Sequence, residues 1–318
     1  MSLIRTIEKE RGSRVLVYVT AGREPPLDKL STGVGLDILP LVHRHLDSFG
    51  KVGKIDLLLQ TLGGHTIAPH PLVDLLREYG SQVSVLVPHE ALSSGTLIAL
   101  GANEIVMGPM GRLGPVDPSV DGEFNPQIEE EDDQGKKRKV RKRISVEDVA
   151  GYLALARDKA GLDVNGMAEA MRALTNQVHP LALGNVHRKY QLIRALSKRL
   201  LGLHLDGDTD KDRIENIVSF LTEKLYDHLY RISPAEAKAI GLPVVRPPTV
   251  VEDAMWSLYL ACRKALYLDG IALSGSFALD SGLIESTAFT HSFVNEGVAT
   301  TTKNKVNIEL RSSGWRQQ

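Results

Sequence analysis

The chain lacks the features of secreted, disulfide-stabilised and membrane-spanning proteins. Its 318 residues contain one cysteine, Cys262, which excludes an internal disulfide framework and a cysteine-based zinc cluster. No apolar run approaches the roughly 18 residues that a membrane helix needs. The N-terminal segment also has no apolar run of signal-peptide length. We therefore expect a cytoplasmic protein without a membrane span.

The chain also lacks an excess of charge of either sign. Lys and Arg total 38 against 39 Asp and Glu, which leaves a net charge of −1. This balance argues against binding to nucleic acid or to a membrane surface through bulk charge. Hydrophobic residues make up 42% and charged residues 24%, an ordinary globular composition. The length allows one large domain or two smaller ones with a sizeable core.

Short apolar runs alternate with helical periodicity in the first third of the chain. The predicted strands are Arg14–Thr20, Lys54–Thr61, Gln82–Pro88 and Glu104–Met107, and the predicted helices between them are Asp37–Phe49, Ile67–Tyr79 and Leu92–Leu100. Strands and helices that alternate in this way imply right-handed crossovers. The pattern predicts an α/β fold with a mainly parallel sheet covered by helices.

The second half of the chain is mostly helical in pattern. The predicted helices are Ser145–Lys159, Gly166–Gln177, Asn185–Leu201, Arg213–Leu229 and Val251–Leu268. Pro247 and Pro248 suggest a boundary, so we expect a core at 1–246 and an extension at 247–318. Within the extension, residues 274–318 are polar and weakly patterned. The apolar surface of Val251–Leu268 predicts packing on a neighbouring subunit in a homo-oligomer.

Residues 119–143 interrupt the alternation with two charged runs of opposite sign. The acidic run Glu129–Asp133 is followed by the basic run Lys136–Arg143. We expect a mobile, solvated insertion whose halves neutralise each other and which could cover a neighbouring cleft. The basic run also fits a nuclear-targeting or nucleic-acid-binding segment, but the adjacent acids weaken its positive field.

Two turns between a strand and a helix carry the candidate chemistry. Gly63 and Gly64 allow close approach of a ligand and can present a free N–H near a helix N-terminus, although a tight turn alone would also use them. Ser93 lies at the next such turn, where a hydroxyl is exposed as in a nucleophile elbow; a simple helix N-cap is the alternative. Adjacent parallel strands would bring both turns to one sheet edge.

These motifs in this order resemble a known superfamily. They are Thr-Leu-Gly-Gly at 61–64, Ala-Leu-Ser-Ser-Gly-Thr at 91–96, Glu104–Gly114, His179–Arg188 and Ile232–Val245. Together they resemble the Clp proteases and signal peptide peptidases, and within them the serine dehydrogenase proteinases, over roughly residues 12–246. The resemblance implies a ClpP/crotonase-like fold, a repeated β-β-α spiral, and a serine peptidase that acts on peptides or proteins without a cofactor.

The resemblance also assigns roles to residues of the two turns. Ser93 matches the nucleophile, and Gly64 and Ser94 match the positions whose backbone N–H groups form the oxyanion hole. Two fixed donors suit acyl transfer, because removal of one typically costs about 3 kcal/mol of barrier. Members of this superfamily assemble into rings or stacked oligomers, which again implies a homo-oligomer.

The sequence differs from that of Clp proteases at the general base. No histidine lies between His89 and His179, and the stretch Met110–Asp117 contains none where Clp proteases place theirs. The signal peptide peptidases instead use a lysine, which must be neutral to accept a proton. The candidates are Lys136, Lys137, Lys139, Lys142 and Lys159. Position favours Lys142, with Lys159 as the alternate.

Two other functions compete with the peptidase. The missing histidine also fits a catalytically silent oligomeric scaffold. A crotonase-type acyl-CoA enzyme would use two similar backbone amides, but such enzymes need no serine at the elbow. No metal site is expected, because His43 and His45 do not share a helix face as ligands would. The aspartate-rich segment at 206–210 departs from a calcium loop.

Overall fold

One large sheet organises the protein. The structure, a computed structural model, describes residues 2–116, 119–120, 122–131, 137–225, 227–302 and 305–318. Eight strands form the sheet: β1 (Arg14–Thr20), β2 (Val52–Gln60), β3 (Gly80–Val87), β5 (Glu104–Met107), β11 (Val244–Val245), β12 (Gly275–Glu285), β13 (Thr290–Thr302) and β14 (Lys305–Gln317). Their order across the sheet is β11-β5-β3-β2-β1-β12-β13-β14. The five from β11 to β1 are parallel, and the last three are antiparallel.

Helices cover both faces of the parallel part. They are α1 (Ser2–Arg11), α2 (Leu39–Phe49), α3 (Pro69–Tyr79), α4 (Ser94–Leu100), α5 (Val146–Ala154), α6 (Val164–Gln177), α7 (Pro180–Leu201), α8 (Lys211–Glu223), α9 (Pro234–Ala239) and α10 (Thr249–Ala265). Alternate residues of β1 separate the two cores: Leu16 and Tyr18 face α2, α3 and α4, whereas Val15, Val17 and Val19 face α1 and α10. Among the described helices, none has the length and apolar character to cross a membrane.

Helix α10 packs inside its own chain. Its apolar face, which includes Met255, Leu258 and Cys262, covers the sheet beside Ile4 and Ile7 of α1. Burial raises the pKa of the Cys262 thiol to about 12, as expected in an apolar core. The apolar surface that predicted subunit packing is therefore used within one chain. The expected boundary at residue 246 does not separate two structural layers.

The C-terminal strands were not predicted from the sequence. Strands β12, β13 and β14 continue the main sheet from β1, although their sequence is polar and weakly patterned. The pairing shifts between Asp280 and Gly282, and again between Glu296 and Gly297. A bulge moves the following side chains to the opposite face. The alternation that identifies a strand is therefore interrupted in the sequence.

Part of the charged segment is a hairpin rather than a loop. Strands β8 (Gln127–Glu131) and β9 (Lys137–Arg141) pair antiparallel, with Glu129 opposite Lys139. The Lys137 Nζ lies 3.8 Å from a carboxylate oxygen of Glu129. Acidic and basic side chains thus face one another across the hairpin, as their sequence order suggested. The flanking strands β7 (Ser119–Val120) and β10 (Ile144–Ser145) pair with each other.

Candidate active site

A second layer of short strands brings the two predicted turns together. Strand β4 (Glu90–Ala91) pairs in parallel with β6 (Arg112–Leu113), and its Ala91 bridges to Thr61 beyond the end of β2. The Thr61 N–H donates to Glu90 O at 2.8 Å, and the Leu92 N–H donates to Thr61 O at 3.0 Å. The segment before Ser93 is therefore bonded to the segment before the glycine pair. This juxtaposition follows from adjacent parallel strands ending at one edge.

Ser93 has the backbone conformation of an elbow. Its φ of 51° and ψ of −112° are unusual for a residue other than glycine, and it directly precedes α4. Such a conformation costs on the order of 1–3 kcal/mol and persists where the surroundings fix it. Here Thr96 holds the segments around Ser93 in place, because its Oγ1 lies 2.9 Å from Ala91 O and 3.0 Å from Gly114 N. Ser93 is half-buried, and its Oγ makes no hydrogen bond within the described residues.

The glycine turn fits closely between Ser93 and a neighbouring loop. Gly63 and Gly64 have φ of +121° and +155°, where other residues are strained. A Cβ on Gly63 would lie 2.9 Å from Ser93 Cβ, and one on Gly64 would lie 2.3 Å from Val34 N. The hydroxyl of Thr61 lies 3.1 Å from both the N and the O of Gly63. Both positions therefore need glycine: Gly63 because it lies against Ser93, and Gly64 because it lies against Val34.

Two backbone amides near Ser93 are available to a ligand. Gly64 bridges in parallel to Val34 through the Val34 and His65 amides, so the Gly64 N–H points to the other side. Within the described residues, neither the Gly64 nor the Ser94 N–H donates a backbone hydrogen bond. The Ser94 Oγ is buried and also without a partner there. Two free amides beside a serine can stabilise a developing oxyanion.

Within the described residues, no candidate lysine makes a hydrogen bond to Ser93. Lys142 and Lys159 both have exposed side chains. The backbone of Lys142 is held at both ends, since its N–H donates to Pro126 O at 2.9 Å and its O accepts from Asn125 Nδ2 at 3.0 Å. Lys159 ends a π-helical turn that continues α5. Lys136 and Asp117 lie outside the described residues.

His89, the nearest histidine in sequence to Ser93, is engaged elsewhere. Its ring stacks on Tyr259 of α10, with 5.2 Å between centroids, and its Nδ1 lies 3.3 Å from the Tyr259 hydroxyl. Burial lowers the pKa of His89, which favours the neutral ring. The structure therefore gives this histidine a packing partner rather than a contact with Ser93.

A buried hydrogen-bonded chain of one serine and two histidines was not predicted from the sequence. His45 Nδ1 lies 2.7 Å from Ser286 Oγ, and His45 Nε2 lies 3.0 Å from His291 Nδ1. The three side chains are at most 2% exposed, so a substrate could not reach Ser286. The pairing joins residues 241 positions apart, and no local pattern reveals such a contact. Among the described residues, no group of three or more potential ligands could hold a metal ion.

Acid is expected to destabilise the protein through His45. Burial, then His291 and Arg44, lowers the pKa of His45 from 6.5 to about 4. Because the unfolded chain binds this proton more readily, the contribution of neutral His45 to stability is fully present above pH 6.5 and is lost as the pH falls toward 4. Over this range the free energy of unfolding falls by about 3 kcal/mol. Burial and Arg44 also lower the pKa of His291, which adds in the same direction.

Urea unfolding at several pH values measures this dependence. His45→Gln removes the titrating group and should flatten the slope between pH 6.5 and 4. His43→Gln is the matched control, because His43 lies on the same helix but is exposed. Equal slopes in wild type and His45→Gln would contradict the assignment.

Sequence comparison relates the N-terminal half to a protease family. Residues 1–151 match the family of ClpP-like SDH-type serine proteinases. An uncharacterized protein of Methanocaldococcus jannaschii is 34% identical over 125 residues, which are 37% of this chain and 41% of that protein. A second from the same organism is 28% identical over 190 residues, 60% of this chain and 53% of that protein. The chain spans about half the length of the curated relatives it matches.

Solved structures of a protease resemble the chain at low identity. A lysine-to-alanine mutant of the 1510-N membrane-bound stomatin-specific protease, in complex with a substrate peptide, is 17% identical with a TM-score of 0.37. That match covers 67% of this chain and 70% of the other. A serine-to-alanine mutant of the protease is 15% identical, also with a TM-score of 0.37, and covers 72% and 80%. With the family match and the mostly parallel sheet, the predicted ClpP-like α/β fold is confirmed.

Proposed function

Residues 1–151 match the family of ClpP-like SDH-type serine proteinases, and from that premise we propose that the chain is a serine peptidase with Ser93 as its nucleophile. One observation carries the proposal. Ser93 has left-handed φ at a strand-to-helix turn, against a glycine pair whose Gly64 amide is free among the described residues. A serine at such a turn beside unpaired donors suits acyl transfer, which needs a nucleophile and fixed donors for the oxyanion.

The proposed reaction uses Ser93, two backbone amides and a lysine base. The Ser93 Oγ attacks the carbonyl carbon of the peptide while Lys142 accepts its proton. The N–H groups of Gly64 and Ser94 bind the oxyanion of the tetrahedral intermediate. Lysine then gives the proton to the leaving amine, and water hydrolyses the acyl-enzyme by the reverse sequence. No cofactor enters these steps.

Labelling with a fluorophosphonate probe tests the nucleophile. The serine oxygen displaces fluoride from phosphorus, and the adduct is located by mass spectrometry of proteolytic peptides. We expect one adduct, on Ser93, and none on Ser286, which is fully buried beside His45. An adduct confined to another serine would overturn the proposal.

Substitution of the lysines tests the base. Lys142→Ala should lower kcat by about 10²–10⁴-fold, the usual contribution of a general base. Lys142→Arg should not restore activity, because a guanidinium stays charged. Lys198→Ala is the control, since Lys198 is not a candidate base and its ammonium pairs with Glu215. If Lys142→Ala retains activity and Lys159→Ala loses it, the alternate lysine is the base.

A silent oligomeric scaffold is the second candidate. It is favoured by one observation, the lack of any hydrogen bond between Ser93 Oγ and a basic group within the described residues. A scaffold would give a folded assembly by light scattering, with no labelling and no peptide hydrolysis. The peptidase proposal expects self-association as well, so labelling is the result that separates the two candidates.

A further inference from the structure

We propose that the C-terminal strands position the candidate oxyanion turn, and that Asn295 and Trp315 are the positioning residues. The inference rests on the proposed peptidase function. The strands hold a loop at residues 30–37, here called the bracing loop, which follows β1 and precedes α2. That loop in turn bonds to the Gly63–Gly64 turn. A region without a recognisable sequence pattern would thereby act on catalysis.

The first contact holds the start of the bracing loop. Asn295 of β13 is 2% exposed, and its Nδ2 donates to Leu30 O at 3.1 Å and to Ser281 Oγ at 2.9 Å. The Thr32 N–H donates to Ala21 O at 2.8 Å, which ties the same part of the loop to the end of β1. A buried amide with partners in two elements fixes their separation.

The second contact holds the end of the bracing loop. The Trp315 Nε1–H of β14 donates to Asp37 Oδ2 at 2.9 Å. The indole packs edge-on against Phe293, with 5.4 Å between centroids, and lies 6.5 Å from the ring of Tyr18. Burial and the Asp37 carboxylate raise the pKa of Tyr18. Packing therefore holds the Trp315 side chain in place, and its Nε1–H donates to the bracing loop.

Between the two contacts, the loop lies directly on the glycine turn. The Val34 N–H donates to Gly63 O at 2.9 Å, and the His65 N–H donates to Val34 O at 2.7 Å. The two segments are in close contact, because a Cβ on Gly33 would lie 2.8 Å from Gly63 O. Movement of the loop must therefore move the Gly64 amide. Since a misplacement of about 1 Å can cost up to about 10²-fold in rate, the contacts at either end affect catalysis.

Three substitutions test the second contact. Trp315→Phe keeps an aromatic ring but removes the donor, and Asp37→Ala removes the acceptor. Each should lower kcat for a peptide substrate by about tenfold and weaken a peptide boronate inhibitor, which mimics the tetrahedral intermediate, by a similar factor. KM should change by less than about twofold. Asp37→Asn keeps an acceptor oxygen and should restore most of the rate.

A control and a second readout separate this inference from the proposed function. Arg316→Gln is the control, since the neighbouring Arg316 pairs with Glu296 rather than with the loop. Amide hydrogen exchange should rise in peptides covering 31–38 and 62–66 in Trp315→Phe and Asp37→Ala only. Unchanged exchange would overturn the inference even in an active enzyme. Raised exchange with an unchanged kcat and boronate affinity in an active enzyme would also overturn it. If exchange rises in these two variants while the wild type neither labels nor hydrolyses peptides, the positioning role of the strands is supported and the peptidase function is rejected.

Discussion

Ser93→Ala should lower kcat/KM for peptide hydrolysis by at least about 10³-fold without weakening the fold. Removal of a nucleophile leaves only the contributions of binding and the oxyanion hole. Folding should be preserved, because the Ser93 Oγ has no hydrogen bond among the described residues and alanine meets the same φ of 51° as serine does. Steady-state kinetics and thermal unfolding of the same preparation measure both effects.

Two further serine variants sharpen this expectation. Ser93→Gly should be equally inactive but more stable by about 1 kcal/mol, because glycine accepts a positive φ without strain. Ser286→Ala should behave in the opposite way. It should keep activity, but its free energy of unfolding should fall by about 1–3 kcal/mol, because buried His45 loses its hydrogen-bond partner. Hydrolysis that persists in Ser93→Ala would remove this residue from the mechanism.

The strands and turns that could be predicted are those specified by local sequence. Strand Arg14–Thr20 was predicted with its exact bounds, because strands buried on both faces are continuous apolar runs. The two turns were predicted to meet because adjacent parallel strands end at one edge, and the bridge between Thr61 and Ala91 shows that they do. These inferences need only the order of elements along the chain.

The features that could not be predicted depend on pairing between distant parts of the chain. The contact between His45 and Ser286 exists only because the C-terminal strands join the sheet beside β1. Those strands were missed because bulges interrupt their alternation. The apolar face of α10 was visible in the sequence, but its partner, α1 or another subunit, was not. Periodicity identifies which face is buried and leaves open what buries it.

Gly64→Ala has the second large expected effect. A Cβ at this position would lie 2.3 Å from Val34 N and 2.4 Å from Val34 O, and backbone atoms cannot rotate away. The φ of +155° adds strain for any side chain. The turn must therefore separate from the bracing loop, which displaces the Gly64 amide. We expect kcat to fall by about 10²–10³-fold, as when one oxyanion donor is lost, and the free energy of unfolding to fall by about 2 kcal/mol.

A matched glycine and a binding measurement decide whether the lost activity comes from the donor. Gly53→Ala is the control, because a Cβ at Gly53 in β2 meets no atom within 4 Å; its kcat should stay near that of wild type. If the Gly64 amide binds the oxyanion, boronate affinity should fall in proportion to kcat/KM, because both report binding of the tetrahedral state. A stability loss with unchanged boronate affinity would instead make the glycine pair a structural turn, and the second donor would have to be sought elsewhere around Ser93.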